Sequence, residues 1–159
     1  MTDDVRLLRI GEVAERLGIS TRTLRYYEEL RLLDPSGRSP GGGRRYDADD
    51  VERVRHIRDL QQVLGFNLDE IGEIVHAEDR LAQLRTEYRK GVSVKRQEAI
   101  LHEAFALNER LQQHVSTKIG LLNGFMAELR AKAHRYTEVA TERGLRLPSG
   151  GARRTPRIS

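Results

Sequence analysis

The chain contains no cysteine. That excludes a disulfide, a thiolate metal site, an iron-sulfur cluster and a cysteine redox switch, and with them several kinds of sensor. Aromatic residues make up only 5% of its 159 residues, thin material for a large globular core, whereas 33% are charged. Such a composition suits helices that bury one stripe each. No apolar run is long enough to cross a bilayer, and the opening MTDDVRLLR carries acids where a secretory signal would be basic, so a cytoplasmic protein with no membrane partner is the expectation. His56, His76, His102, His114 and His134 form neither an HxxxH pair nor a Cys/His cluster, which points to solvated histidines and no metal or cofactor. There is no G-x-S-x-G elbow, no P-loop and no convincing acid pair, so catalysis is not expected. The glycines at 41–43 could suggest a phosphate cradle, but neither Gly-Lys-Ser/Thr nor a helix follows them.

The charge that is present is unevenly placed. Residues 1–75 hold 12 Arg and 15 Asp/Glu, a balance of −3, while 76–159 hold 16 Lys/Arg and 9 Asp/Glu, a balance of +7. Yet residues 20–45 concentrate six Arg against Glu28, Glu29 and Asp34, and 47–73 carry eight acids against three Arg. A positive face of that kind is local, as a nucleic-acid footprint should be.

From Ile10 the apolar residues Ile10, Val13, Ala14 and Leu17 fall at helical spacing and Gly18 suits a left-handed helix end. Ile19 anchors the turn, Ser20 caps a second helix, and Leu24, Tyr27 and Leu30 share its inner face. Two short helices about a tight turn make a helix-turn-helix. The outer face presents Thr21, Arg22, Arg25 and Tyr26, groups that reach phosphates and base edges from a major groove. A lone arginine pair would read as a solvated face; the turn before it and the segment after it favour DNA. That following segment, DPSGRSPGGGRRY, is broken by Pro35, Pro40 and its glycines and reads as a hairpin-like wing carrying Arg38, Arg44 and Arg45. Asp47 then caps a helix with Val51, Val54, Ile57, Leu60, Val63 and Leu64 on one face, Gly65 stops it, and Asn67 caps a short helix over LDEIGEIV.

In this order, RIGEVAERLGIS, TRTLRYYEELRLLDP and GGGRRYDADDVERVRHIRDLQQVLGFNLDEI resemble the winged helix-turn-helix of the MerR family of transcription regulators, over residues 9 to 75. The resemblance implies that the second helix enters the major groove and the wing tracks the backbone. It implies DNA contacts from Thr21, Arg22, Thr23, Arg25, Tyr26 and Tyr27, and from Arg44, Arg45 and Tyr46 in the wing; RSPGGG departs from the common wing pattern.

Beyond Val75 the pattern loosens, and 76–92 reads as a linker or short helix. A long helix is expected over 93–143, with a stripe whose centre is Leu107, Leu111, Val115, Ile119, Leu122, Met126 and Leu129. The four-residue steps at Leu111, Val115 and Ile119 read as a stutter. Such a stripe either packs on the chain's own head or pairs with a second copy, and pairing is the reading preferred. The resemblance agrees, implying an antiparallel pair of long helices. Residues 144–159 form a basic tail, with Arg146, Arg153, Arg154 and Arg157, expected to be disordered.

The expected fold is therefore mainly α: a winged helix-turn-helix with a small β-hairpin wing over residues 1–75, followed by a long dimerising coiled-coil helix. The expected function is a homodimeric, sequence-specific regulator of transcription on an inverted repeat in double-stranded DNA. By resemblance it bends and untwists a badly spaced promoter, with RNA polymerase a candidate partner there. Promoter occlusion without an effector and an architectural DNA-anchored rod are the rivals. The resemblance would imply sensing through cysteines near the end of the dimer helix, which the lack of cysteine excludes, and the effector is unassigned. A pocket lined by Tyr88, Phe105, Phe125 or Tyr136 competes with plain core packing of those rings.

Overall fold

The computed structural model describes residues 7–148; the tail arginines Arg153, Arg154 and Arg157 lie outside the described residues. The element order is β1 (Leu8–Arg9), α1 (Ile10–Leu17), α2 (Thr21–Glu29), β2 (Gly37–Arg38), β3 (Arg44–Tyr46), α3 (Ala48–Arg58), a π-helical turn (Asp59–Val63), α4 (Leu68–Arg89) and α5 (Val94–Glu142). This is the mainly helical fold with a small antiparallel wing and a long last helix that the sequence implies. Packing divides the chain into two units, Met1–Gln112 and Gln113–Ser159.

In the first unit, short polar side chains start the helices. Ser20 Oγ accepts the Thr23 N–H at 3.0 Å, Asp47 Oδ1 accepts the Asp50 N–H at 2.9 Å, and Asn67 Oδ1 accepts the Glu70 N–H at 2.9 Å. Each satisfies an N–H that the helix itself leaves without a partner. Gly18, at φ 62°, ends α1 in the left-handed region. Arg31 ends α2 at φ 57°, a conformation unusual for a residue with a Cβ.

The sheet order is β1-β3-β2, with Leu8 opposite Tyr46 and Arg38 opposite Arg44. Leu8 and Arg9, just before α1, thus supply a third strand, too short at two residues to show in the sequence pattern. Val13, Leu24, Leu32, Leu33, Tyr46, Val54 and Ile57 form a continuous core with Ile71, Ile74 and Val75 of α4.

Two differences from the sequence reading have one cause each. Val63 and Leu64, expected on the buried face of the helix after the wing, are 67% and 51% exposed. The π turn inserts an extra residue, rotating the face so that Leu60 is its last buried member and Phe66 fills the next place in the core. Residues 76–92, expected as a linker or short helix, are mostly helix: they continue α4, which runs unbroken to Arg89 since neither Gly nor Pro interrupts it after Gly72, and only 90–92 lie outside it. Arg53 chelates Asp79 at 2.6 and 2.7 Å and His56 meets Glu78 at 2.8 Å, so the second half of α4 is bound to the head.

α5 forms over Val94–Glu142. Within the first unit, Leu111 packs against the head core and Leu107 is half-buried, so these two positions of the expected stripe face their own chain. The second unit, taken by itself, exposes Val115, Ile119, Leu122, Met126 and Leu129 at between 41% and 59%. Among the described residues no helix is long and apolar enough to cross a membrane.

Candidate nucleic-acid interface

The capped start of α2 and its amphipathic spacing set its two faces. Inward, Leu24 and Tyr27 are buried; outward, Thr21, Arg22, Arg25 and Tyr26 are exposed. Together with Ser20 and Glu29 these outward residues line one open depression. Among the described residues neither Arg22 nor Arg25 makes an ion pair, so both guanidinium forks are available to an acceptor outside the chain. Thr23 is half-buried and shares a 2.9 Å hydroxyl hydrogen bond with the Ser20 cap, which commits its side chain to starting the helix.

Tyr27 does not belong on the outer face. Its ring is 3% exposed, and its hydroxyl donates to Gln61 Oε1 at 3.3 Å. Burial raises its phenol pKa, and nearby Arg58 partly opposes the shift. The expected DNA contact from Tyr27 is therefore corrected: it is a core residue that holds α2 against the π turn.

The wing is closed by a compact turn. The Ser39 N–H donates to the Gly43 carbonyl at 2.8 Å, and the Gly43 N–H donates to Ser39 Oγ at 3.0 Å. A Cβ on Gly43 would sit 3.1 Å from that oxygen, so the closure favours glycine there. Arg38 is exposed, and Arg45 is half-buried with its guanidinium donating to the Arg44 carbonyl at 3.2 Å.

Tyr46 is also corrected as a DNA contact. It is fully buried, and its hydroxyl donates to the carboxylate of Glu28 on α2. Burial first, then the bond to Glu28 and that residue's charge, push its phenol pKa well above the ordinary value. Arg44 Nε pairs with the other oxygen of the same carboxylate, whose side chain is only 9% exposed. Glu28 thus ties the wing to α2 through both neighbours of Arg45.

Sequence reasoning missed Glu28, Arg58 and Gln61. The Arg58 guanidinium donates to the Leu17 carbonyl at the end of α1, while its buried Nε has no partner. The helical spacing of Glu28, four residues after Leu24 and one after Tyr27, was the available signal that it, unlike Glu29, borders the inner face of α2. The pairing of Gln61 with Tyr27 depends on the π turn and left no mark in the sequence.

Among the described residues no cluster of three or more His, Cys, Asp or Glu side chains could hold a metal ion. His76 Nε2 lies 3.1 Å from the Arg31 carbonyl oxygen, and His134 meets Glu138 at 3.3 Å. The arrangement offers hydrogen-bond donors and positive charge on an exposed helix and wing, equipment for binding a polyanion.

Comparison with known proteins agrees with this geometry. The MerR HTH family regulatory protein family matches residues 8–78. The HTH-type transcriptional regulator YfmP of Bacillus subtilis (strain 168) is 31% identical over 119 residues, 70% of this chain and 85% of that protein. Nodulation protein NolA of Bradyrhizobium elkanii is 40% identical over 90 residues, 57% of this chain and 41% of its own length. The chain therefore spans most of YfmP but less than half of NolA. The crystal structure of HiNmlR, a MerR family regulator lacking the sensor domain, bound to promoter DNA, shares the fold at TM-score 0.52 and 24% identity, over 87% of this chain and 96% of that one.

Proposed function

The chain belongs to the MerR family of helix-turn-helix DNA-binding transcription regulators, and on that premise we propose that it acts as a homodimer gripping an inverted repeat within a promoter, bending and untwisting the DNA between two heads. Arg22 and Arg25 read or anchor the major groove with Thr21 and Tyr26. Arg38 and Arg45 of the wing hold the flanking backbone, and Arg44 is shared with Glu28. RNA polymerase is the partner that the distorted promoter serves.

The observation that carries the dimer is the uncovered apolar stripe from Val115 to Leu129. Fully burying a side chain of this size gains about 1.5–3 kcal/mol. Since these five are half exposed, a recovery of about 1 kcal/mol each, on two copies, supplies roughly 10 kcal/mol, comparable to the roughly 4–15 kcal/mol that association costs. Bending a site of this size costs on the order of 1–6 kcal/mol, which contacts from two heads can offset.

The test is transcription from a bound promoter whose spacer is shortened or lengthened by one or two base pairs. Distortion predicts activation at an over-long spacing and its loss at the optimal one. Equal repression at every spacing would sink distortion in favour of occlusion.

A further inference from the structure

We propose that the cleft between α4 and the start of α5 is an effector site for a small organic anion with an apolar body. The cleft has a volume of about 400 Å³, within the range that small ligands occupy. Leu84 and Ile100, 1% and 2% exposed, form its floor. Leu81, Leu101 and Ala104 line its walls, and Leu101 is left 58% exposed beside them. Of the four rings named from sequence as candidates for a pocket, only Tyr88 lines this one.

The helices that bound the cleft are held in place by two chelates. Arg80 binds Glu103 at 2.5 and 3.0 Å, and Arg96 binds Glu87 at 2.6 and 2.8 Å. The cleft is thus built before any ligand arrives.

The charge at its mouth selects the ligand. Arg85 and Arg89 both line the cleft, one helical turn apart on α4. Like charges at that spacing disfavour the helix. Arg80 and Arg96 on the same two helices each chelate a carboxylate, whereas among the described residues neither Arg85 nor Arg89 makes an ion pair. Two free guanidinium groups beside an apolar floor match a carboxylate or sulfonate carried on an aromatic or aliphatic body.

α4 joins the cleft to the DNA head without a joint. Its first turns place Ile71, Ile74 and Val75 in the head core and its later turns line the cleft. An occupant that changes the packing of α4 on α5 therefore moves the head relative to whatever holds α5. This coupling rests on the operator-binding reading above; binding of the anion does not.

The experiment uses 1-naphthoate as probe on the full chain, with neutral 1-naphthalenemethanol as control, followed by calorimetry and by amide shifts of the cleft residues. One probe per chain should bind saturably, at least tenfold tighter than the control. Arg85→Gln combined with Arg89→Gln, both on the surface, should lose at least tenfold for naphthoate only, and Ala104→Phe should abolish binding of both. Naphthoate should also change operator affinity at least threefold in the parent chain and not in the double glutamine variant. Absence of saturable binding, or indifference to the charge substitutions, overturns the site. Dissociation of the dimer by Ala104→Phe together with no binding of naphthoate overturns it in favour of a second copy covering the cleft. Binding without any change in operator affinity overturns the effector role. No operator binding in the absence of probe would instead sink the function proposed above.

Discussion

Glu28→Ala removes the one carboxylate that accepts both the Tyr46 hydroxyl and the Arg44 guanidinium. The two losses differ in size. Arg44 is 41% exposed at its side chain, so its ion pair is worth at most about 1 kcal/mol. Tyr46 is fully buried, and stranding its hydroxyl costs about 1–3 kcal/mol. The sum is about 2–3 kcal/mol. With a urea slope of roughly 1.5 kcal/mol per molar for a small protein, the midpoint should fall by about 1.5–2 M. Tyr46→Phe in the same chain removes the stranded group along with its partner, and deleting both ends of a buried hydrogen bond is close to neutral. Glu28→Ala with Tyr46→Phe should therefore regain more than half of what Glu28→Ala lost, which urea unfolding followed by circular dichroism measures directly. A double variant no more stable than Glu28→Ala alone would refute the claim that the phenol is what Glu28 chiefly satisfies, and a loss below about 0.5 kcal/mol in the single variant would refute the tie altogether.

Arg25→Ala should erase discrimination between operator and random DNA, by about 1–3 kcal/mol if the fork reads a base edge; competition binding decides, and unchanged discrimination rules out base reading. Leu122→Glu places a charge in the exposed stripe and should weaken self-association and operator binding together. A variant that sediments as a tight dimer would show that the stripe is misassigned. The guanidinium hydrogen-bonded to each of Glu87 and Glu103 holds its carboxyl below the ordinary value of 4.5. A depressed pKa contributes stability above the unfolded value and loses it as pH falls through the folded one. The α4–α5 clamps should thus be intact at neutral pH and weaken progressively as pH falls below about 4.5, read as falling protection of the amides at the α4–α5 turn once exchange is corrected for its intrinsic pH dependence; protection that rises as the pH falls through that range would contradict this.

What the sequence disclosed follows from how local its causes are. Ser20, Asp47 and Asn67 announce helix starts because a cap acts within three residues, and Gly18 announces a turn because its backbone conformation requires it. The spacing of Leu24 and Tyr27 already placed Tyr27 in the core. Family resemblance placed the same residue on the DNA, and the structure decides for the core. The π turn stayed hidden because Ile57, Leu60, Val63 and Leu64 keep helical spacing up to the point where one extra residue rotates the face. The length of α4 was obscured by a loose apolar pattern, which arises because its later turns are held by the chelates of Arg53, Arg80 and Glu87 as much as by burial. The site residues Glu28, Arg58 and Gln61 act on partners 16, 41 and 34 positions away. No periodicity encodes such distances.

The pairing of Arg44 with Glu28 also bears on how the protein responds to salt. Each phosphate neutralised on DNA releases condensed counterions, with a slope of about −0.9 in log affinity against log salt. An arginine already balanced by a buried carboxylate brings no net charge to the duplex. In the two-headed complex proposed above, with Arg44 retained by Glu28 on each head, operator binding should displace about two fewer counterions than a count of the wing arginines implies. Its affinity should then hold up better as ionic strength rises, and on the proposed reading a larger share of it falls to Arg22 and Arg25.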